Sequence, residues 1–241
     1  MHRLPGFLIA LLLLALLQAC SISHSIPDDR HILQRNRIEV EEAEIKASEL
    51  KSYLRQQPNR RILGFYRFHL QVYQLASRGS DNRLKRWMRE TIGEPPVLHD
   101  PVLAGMSRDQ LSMYMHSKGY FLAETDYEVR FRGKKAWVNY HIRGNTPYTL
   151  GQIQYLIPDA HLASFVYADT ANRLVSSGQR YDAQRFQQER NRIARMLREE
   201  GFYGFSRDFI FFRVDSSLGR HMANLRIDIN NPISMRPPAE G

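Results

Sequence analysis

The chain offers one thiol, Cys20, its only cysteine, placed where an apolar run stops. A lone thiol cannot close a disulfide within the chain; what remains is a nucleophile or an acceptor for a covalent group. Elsewhere the nine histidines are scattered. No HExxH and no paired Cys/His ligand spacing occurs, and there is neither a GxSxG nor a phosphate-binding glycine loop. Adjacent acids such as Glu41-Glu42 and Glu199-Glu200 read as solvated surface. No catalytic residue, metal site, cofactor or small-molecule substrate is therefore expected, and the chain reads as a non-enzyme. The chemistry left is acylation of Cys20 and hydrogen bonding by exposed backbone.

Met1-His2-Arg3 makes a positive start, and Phe7 to Leu17 is an unbroken apolar run between Pro5-Gly6 and Gln18. A membrane-crossing helix needs about 20 apolar residues, whereas a run of roughly 7 to 15 suits the core of a secretory signal. Leu17-Gln18-Ala19-Cys20 resembles the bacterial lipobox. That resemblance implies residues 1–19 as a lipoprotein signal peptide and Cys20 as a mature N-terminus carrying diacylglycerol on sulfur and an acyl chain on nitrogen, enough chains for stable anchoring. An ordinary signal peptide with a chance cysteine is the alternative. Residues 20–29 then form a tether. Ser21 in place of Asp after Cys20 points to the outer membrane, with the body facing the periplasm. Removing residues 1–19 removes only Arg3, so the formal charge falls from +9 to +8. Export argues against nucleic acid as partner; a basic face near anionic headgroups and a merely solvated basic surface both fit.

The elements that could position such groups repeat. "QLSMYMHSKGYF", Gln110 to Phe121, and "RIARMLREEGFY", Arg192 to Tyr203, coincide at an offset of 82, with Leu111 on Ile193, Met115 on Leu197 and Gly119 on Gly201. Both read as amphipathic helices stopped by glycine. Ser107 with Gln110 suggests a capping box for the first, and Asp182 an N-cap for the second. Each glycine precedes two aromatics, Tyr120-Phe121 and Phe202-Tyr203, read as core residues locking helix to hairpin. Two strand-like stretches follow each: 126–132 with 136–144, and 208–215 with 222–230. An opening strand over 147–159 and a helix over 169–181 ending at Gly178 complete the later copy. The module is strand, helix, helix, strand, strand, an α+β fold in which each three-stranded mixed sheet carries two helices on one face.

This order, with Gly178, Tyr181 and Asp182 before the second helix and Gly201-Phe202-Tyr203 after it, resembles the POTRA domain of outer-membrane assembly proteins. The first copy opens at "HILQRNRIEVE" and carries a helical insertion over about 59–104. "QPNRRILGFYRFHLQVY" and "IGEPPV" resemble the N-terminal region of the BamA/TamA-family surface antigen lipoproteins of Bacteroidetes, over nearly all of residues 20–231. The division implied is module 1 at 30–145, module 2 at 146–231 and a tail at 232–241.

The resemblance implies a role in outer-membrane protein assembly or translocation. Outer-membrane β-barrel proteins or an assembly barrel would be the partners, engaged by strand addition at sheet edges left open on both sides of each sheet. After Pro232 only nine residues follow, so the reading expects a chain lacking its own barrel. A scaffolding or adaptor lipoprotein of another envelope complex is the alternative.

Overall fold

The computed structural model describes residues 27, 29–63 and 66–231. Leu17, Ala19 and Cys20, with the lipobox reading they carry, and the tail at 232–241 lie outside the described residues. The molecule divides into two units. One comprises the described residues up to Glu39 with those of Lys46–Leu111 and Thr125–His141; the other comprises Val40–Ile45, Ser112–Glu124 and the described residues from Ile142 onward.

The first sheet is built from β1 (Ile32–Glu41), β2 (Glu124–Arg132) and β3 (Lys135–Arg143) in the order β1-β3-β2. Strict alternation in β3 buries Ala136, Val138, Tyr140 and Ile142 and turns Trp137, Asn139 and His141 outward. Because successive side chains of a strand point to opposite faces, one face of this sheet must be covered and the other left wet. β1 runs parallel to β3: Ile32 N–H donates to the carbonyl of Lys134 at the start of β3 (2.8 Å), and Gly144 N–H, just past its end, donates to the carbonyl of Glu41 (2.9 Å). β2 and β3 are joined by Gly133-Lys134, with Gly133 at φ 55.

Between β1 and β2 the chain forms α1 (Ala47–Leu50) with a 3-10 turn at Lys51–Tyr53, α2 (Phe68–Ala76), α3 (Arg83–Trp87) continuing into a π turn at Met88–Ile92, and the long α4 (Pro101–Ser117). The dense apolar stretch 61–77 is resolved by making only its second half helical, after Ile62 and Tyr66 pair through their backbones at 2.7 and 3.1 Å. Buried Asn59 pins the Pro-Pro turn that follows: its amide donates to the carbonyl of Pro95 (2.7 Å) and accepts from Val97 N–H (3.0 Å).

Ser107 does not cap a helix. α4 begins a turn and a half earlier, where Asp100 accepts the N–H groups of Val102 (2.8 Å) and Leu103 (3.3 Å) and Pro101 occupies the first position, in which its missing N–H costs nothing. Ser107 is fully buried in mid-helix; it donates back to the carbonyl of Leu103 (2.7 Å) and accepts the N–H of Arg55 (3.0 Å). The hydroxyl satisfies a backbone donor in the chain between α1 and the insertion.

The second sheet contains β4 (Thr149–Leu156), β5 (Ile210–Asp215) and β6 (Met222–Ile229), ordered β4-β6-β5. β4 is parallel to β6, from Thr149 opposite Met222 to Leu156 opposite Asp228, and β5 is antiparallel to it. The register slips between Leu150 and Ile153. There Asn224 Oδ1 accepts Gln152 N–H (2.8 Å) and stands 2.5 Å from where a side chain at Gly151 would begin, so glycine is required. α5 (Ala160–Ala168) and α6 (Ala183–Glu199) supply Leu162, Val166, Phe186, Ile193 and Leu197 to a core completed by Leu150, Phe205, Ile210, Leu225, Ile227 and Ile229.

The helix expected over 169–181 lies wholly before that range, at Ala160–Ala168. α5 starts where Asp159 accepts Leu162 N–H (3.0 Å) and ends at Asp169, whose carboxylate is held by Arg192 and by Asn172 (2.7 Å). Gly178, at φ 82, is a turn glycine and stops no helix. Arg192 also grips Glu189, which is fully buried in α6, through Nε and Nη2 at 2.9 and 2.8 Å, while Glu189 accepts Leu174 N–H (2.9 Å). This network fixes the segment after α5 without a helix.

Two of these carboxylates set a pH dependence. Burial works to raise Asp169, but the bonds from Asn172 and Arg192 outweigh it and hold it below its ordinary value of 3.8. Leu162 N–H, and after it Asn231, hold Asp159 low. A depressed carboxyl stabilises the fold above its unfolded pKa and ceases to do so as pH falls through the folded value. The melting temperature should thus be level near neutrality and fall below about pH 4. Asp169→Asn should melt lower at pH 7 and show a shallower acid decline, as read by circular dichroism.

Candidate functional site

The two glycine-aromatic turns share one backbone design. Gly119 at φ 90 donates to the carbonyl of His116 (3.0 Å) and Tyr120 to that of Met115 (3.0 Å); Gly201 at φ 96 donates to Arg198 (3.2 Å) and Phe202 to Leu197 (3.0 Å). This is the Schellman pair of bonds, which closes the orphan carbonyls of a helix end around a left-handed glycine. Side chains then diverge. Tyr120 is buried; its hydroxyl accepts Glu44 N–H (2.9 Å) and the Arg180 guanidinium lies 5.9 Å from its ring. Phe121 packs on Tyr148 at 4.8 Å and Tyr181 at 4.7 Å, and Tyr181 continues to Phe186 at 4.9 Å. Burial, with some help from neighbouring Asp182, raises the Tyr181 phenol above its ordinary value. Phe202 packs on Phe165 at 5.7 Å.

Tyr203 departs from the expectation of a core residue, being 86% exposed. The turn after α6 runs on through Gly204, and Phe205, buried against Phe209 at 5.7 Å, fills the place instead. The signal was present in the string "GFYGF", where the third aromatic competes with the second. Around Gly119 space is tight: an added Cβ would stand 2.9 Å from the carbonyl oxygen of Tyr181, whereas nothing lies within 4 Å at Gly201.

The open edges are fewer than a bare three-stranded sheet would leave. On β1, Leu33 N–H donates to Val97 (2.8 Å) and His99 N–H to His31 (2.7 Å), and the guanidiniums of Arg61 and Arg67 both reach the carbonyl of Gln34, at 2.7 and 2.6 Å. On β4, Leu150 N–H donates to Gln179 (2.7 Å), Gly178 N–H to Leu150 (2.7 Å) and Tyr181 N–H to Tyr148 (2.9 Å). The covering residues form single antiparallel bridges, Ile32 with Leu98 and Thr149 with Arg180. Leu98 and Arg180 stand at the same offset of 82 as the helices that follow them. The repeat thus includes a plug on the edge of each opening strand.

β2 and β5 are left as outer strands paired on one side. β2 alternates Asp126, Glu128, Arg130 and Arg132 with apolar residues, of which Phe131 is exposed and packs on His31 at 4.5 Å and His99 at 5.8 Å. Charges of this kind along an edge guard it against strand addition. β5 is different. Phe212 stacks on Phe186 (5.3 Å, 9° between planes) with the Arg190 guanidinium 5.5 Å from its ring, which fixes the strand from within. Phe211 and Val214 remain 46% and 37% exposed. Asp182 meanwhile caps α6 by accepting Gln184 N–H (2.9 Å) and pairs with Lys118 at 3.0 Å. Among the described residues no cluster of His, Cys, Asp and Glu is placed to hold a metal, and no helix is long and apolar enough to cross a membrane.

No protein-family model and no curated protein matches the chain. Solved structures do. POTRA3-5 of Haemophilus influenzae BamA superposes with a TM-score of 0.40 at 12% identity, covering 85% of this chain and 68% of that one. BamA from Haemophilus ducreyi lacking POTRA domains 1-3 gives 0.36 at 12% identity, with 64% of this chain matched to only 28% of that one. POTRA1-2 of the periplasmic domain of Omp85 from Anabaena gives 0.32 at 10% identity, covering 83% and 96%. Likeness at that distance assigns no activity.

The two glycines should respond differently to the same change. Gly201→Ala meets only the backbone cost of a side chain at positive φ, about 1 kcal/mol. Gly119→Ala adds a collision with backbone and should lose clearly more in urea denaturation.

Proposed function

We propose that the chain is a lipid-anchored periplasmic pair of POTRA-like modules that serves outer-membrane protein assembly or translocation. In this reading it binds an extended client or partner strand along β5. The observation that carries the reading is the contrast between edges. The opening strands are plugged over their first residues, β2 carries Asp126, Glu128, Arg130 and Arg132 and its exposed Phe131 packs on His31 and His99, and β5 presents six residues, two of them charged, with Phe211 and Val214 exposed and a rigid backing under Phe212. Strand addition draws affinity from main-chain hydrogen bonds and selectivity from alternate side chains, so it needs no catalytic group. A segment of an outer-membrane β-barrel protein has the matching pattern, apolar residues alternating with polar ones. Acylation of Cys20 would hold the modules at the membrane where such segments arrive.

A photo-cross-linking residue at Phe211 in living cells should capture outer-membrane β-barrel proteins or an assembly barrel. The same residue at Glu128 on β2 should capture far less. Capture at Phe211 of soluble or inner-membrane proteins alone would replace the assembly role with an adaptor for another envelope complex. In the same cells a palmitate label should enter the chain and disappear with Cys20→Ser.

A further inference from the structure

The wet face of the first sheet holds a feature that strand addition does not use. Arg35 and Arg37 on β1 and Arg130 and Arg132 on β2 line, together with Trp137 on the central β3, a shallow cleft of about 340 Å³. All four arginines are exposed. Arg37 pairs with Glu39 at 2.9 Å, and Glu128 is the cleft's one acid. Arg35, Arg130 and Arg132 make no ion pair among the described residues. Three guanidiniums thus stand around an indole without an ion-pair partner, with one carboxylate in the lining against four arginines.

The second sheet supplies an internal comparison. Its wet face has a cleft of about 290 Å³ lined in part by Arg213 and Arg226, but both arginines pair with Asp228, at 2.6 and 2.9 Å, Asp215 adds a second carboxylate to the lining, and no aromatic is present. Charge is balanced there and left open on the first sheet.

We infer that the Arg35, Arg130, Arg132 and Trp137 face of the first sheet docks on the anionic headgroups of a lipid bilayer. Guanidinium forks match phosphate oxygens in pairs, and tryptophan settles at the headgroup level with its apolar body inward and its N–H wet. Neighbouring strands lie about 4.8 Å apart, so the arginines on the two flanking strands are roughly 10 Å apart across Trp137. That spread suits several headgroups in a plane better than a single phosphate. Placement agrees. The arginines occupy the end of the sheet where β1 begins, and Ile32 follows Cys20 by a tether that can span at most about 40 Å. The location rests on the proposed acylation of Cys20; the headgroup chemistry does not.

The test uses the full chain with Trp87→Phe, which leaves Trp137 as the only tryptophan. The protein is reconstituted through its own N-terminal segment into vesicles of phosphatidylcholine and, separately, of phosphatidylcholine with phosphatidylglycerol. On the anionic vesicles Trp137 emission should shift to the blue and be quenched by brominated lipid, and high salt should reverse both. Arg35→Gln, Arg130→Gln and Arg132→Gln together should abolish the shift with an unchanged circular dichroism spectrum. A matched set on the other unit, Arg185→Gln, Arg195→Gln and Arg207→Gln, should preserve it. Equal emission on the two vesicles would overturn the inference, as would equal loss with the control set. So would a full shift produced without vesicles by inorganic phosphate or by a poly-glutamate peptide, which would make the face an ion or acidic-peptide site. An unmodified Cys20, seen by mass spectrometry in cells, would defeat the anchor and leave the Trp137 result standing.

Discussion

A strand that runs parallel to its neighbour cannot be reached from it by a hairpin; the chain must leave the sheet and cross back. Both sheets place their first strand, β1 or β4, parallel to their last, β3 or β6, with the hairpin partner on the far side. Much of the architecture follows from that. The crossover residues become helices on one face, because their apolar stripes must be buried somewhere. The second helix must then stop and reverse into a hairpin, which the Schellman turns at Gly119 and Gly201 accomplish. The opening strand and the middle strand become the two edges.

Those edges have been treated unequally. A short segment immediately before each second helix lies against the opening strand, and in the first unit Arg61 and Arg67 take up a further carbonyl. On the other side both strands carry charge and expose a phenylalanine, but Phe131 of β2 packs on His31 and His99, while β5 shows Phe211 together with Val214 to solvent. Unpaired edges invite aggregation, and β5, which keeps Phe211 and Val214 exposed, is the edge for which strand addition is proposed.

How much of this could be read beforehand depended on whether the signal was local. Strands β2, β3 and β6 were legible from two-residue alternation, and the ends of α4 and α6 from glycine, since both signals come from the chain's own geometry. α5 was misplaced although Asp159 and the run Leu162, Phe165, Val166 gave a cap and a stripe; the residues after it, Thr170 to Val175, are held by buried Glu189 and Arg192, a tertiary contact invisible in a window. Ser107 resembled a cap because its spacing to Gln110 fits one, while its real partner, Arg55, lies 52 positions away. The edge plugs were missed for the same reason: one bridge in each carries no periodicity. The arginine face could be counted in composition but not located, because it is assembled across three strands.

The central claim is that β5 accepts a strand. Hydrogen exchange of the full chain, with and without a peptide matching the last membrane strand of an outer-membrane barrel, tests it at the backbone itself. The account predicts slowed exchange of the amides of Ile210–Asp215 and none along Glu124–Arg132. Slowing confined to β2, or no slowing in either strand at saturating peptide, would contradict it.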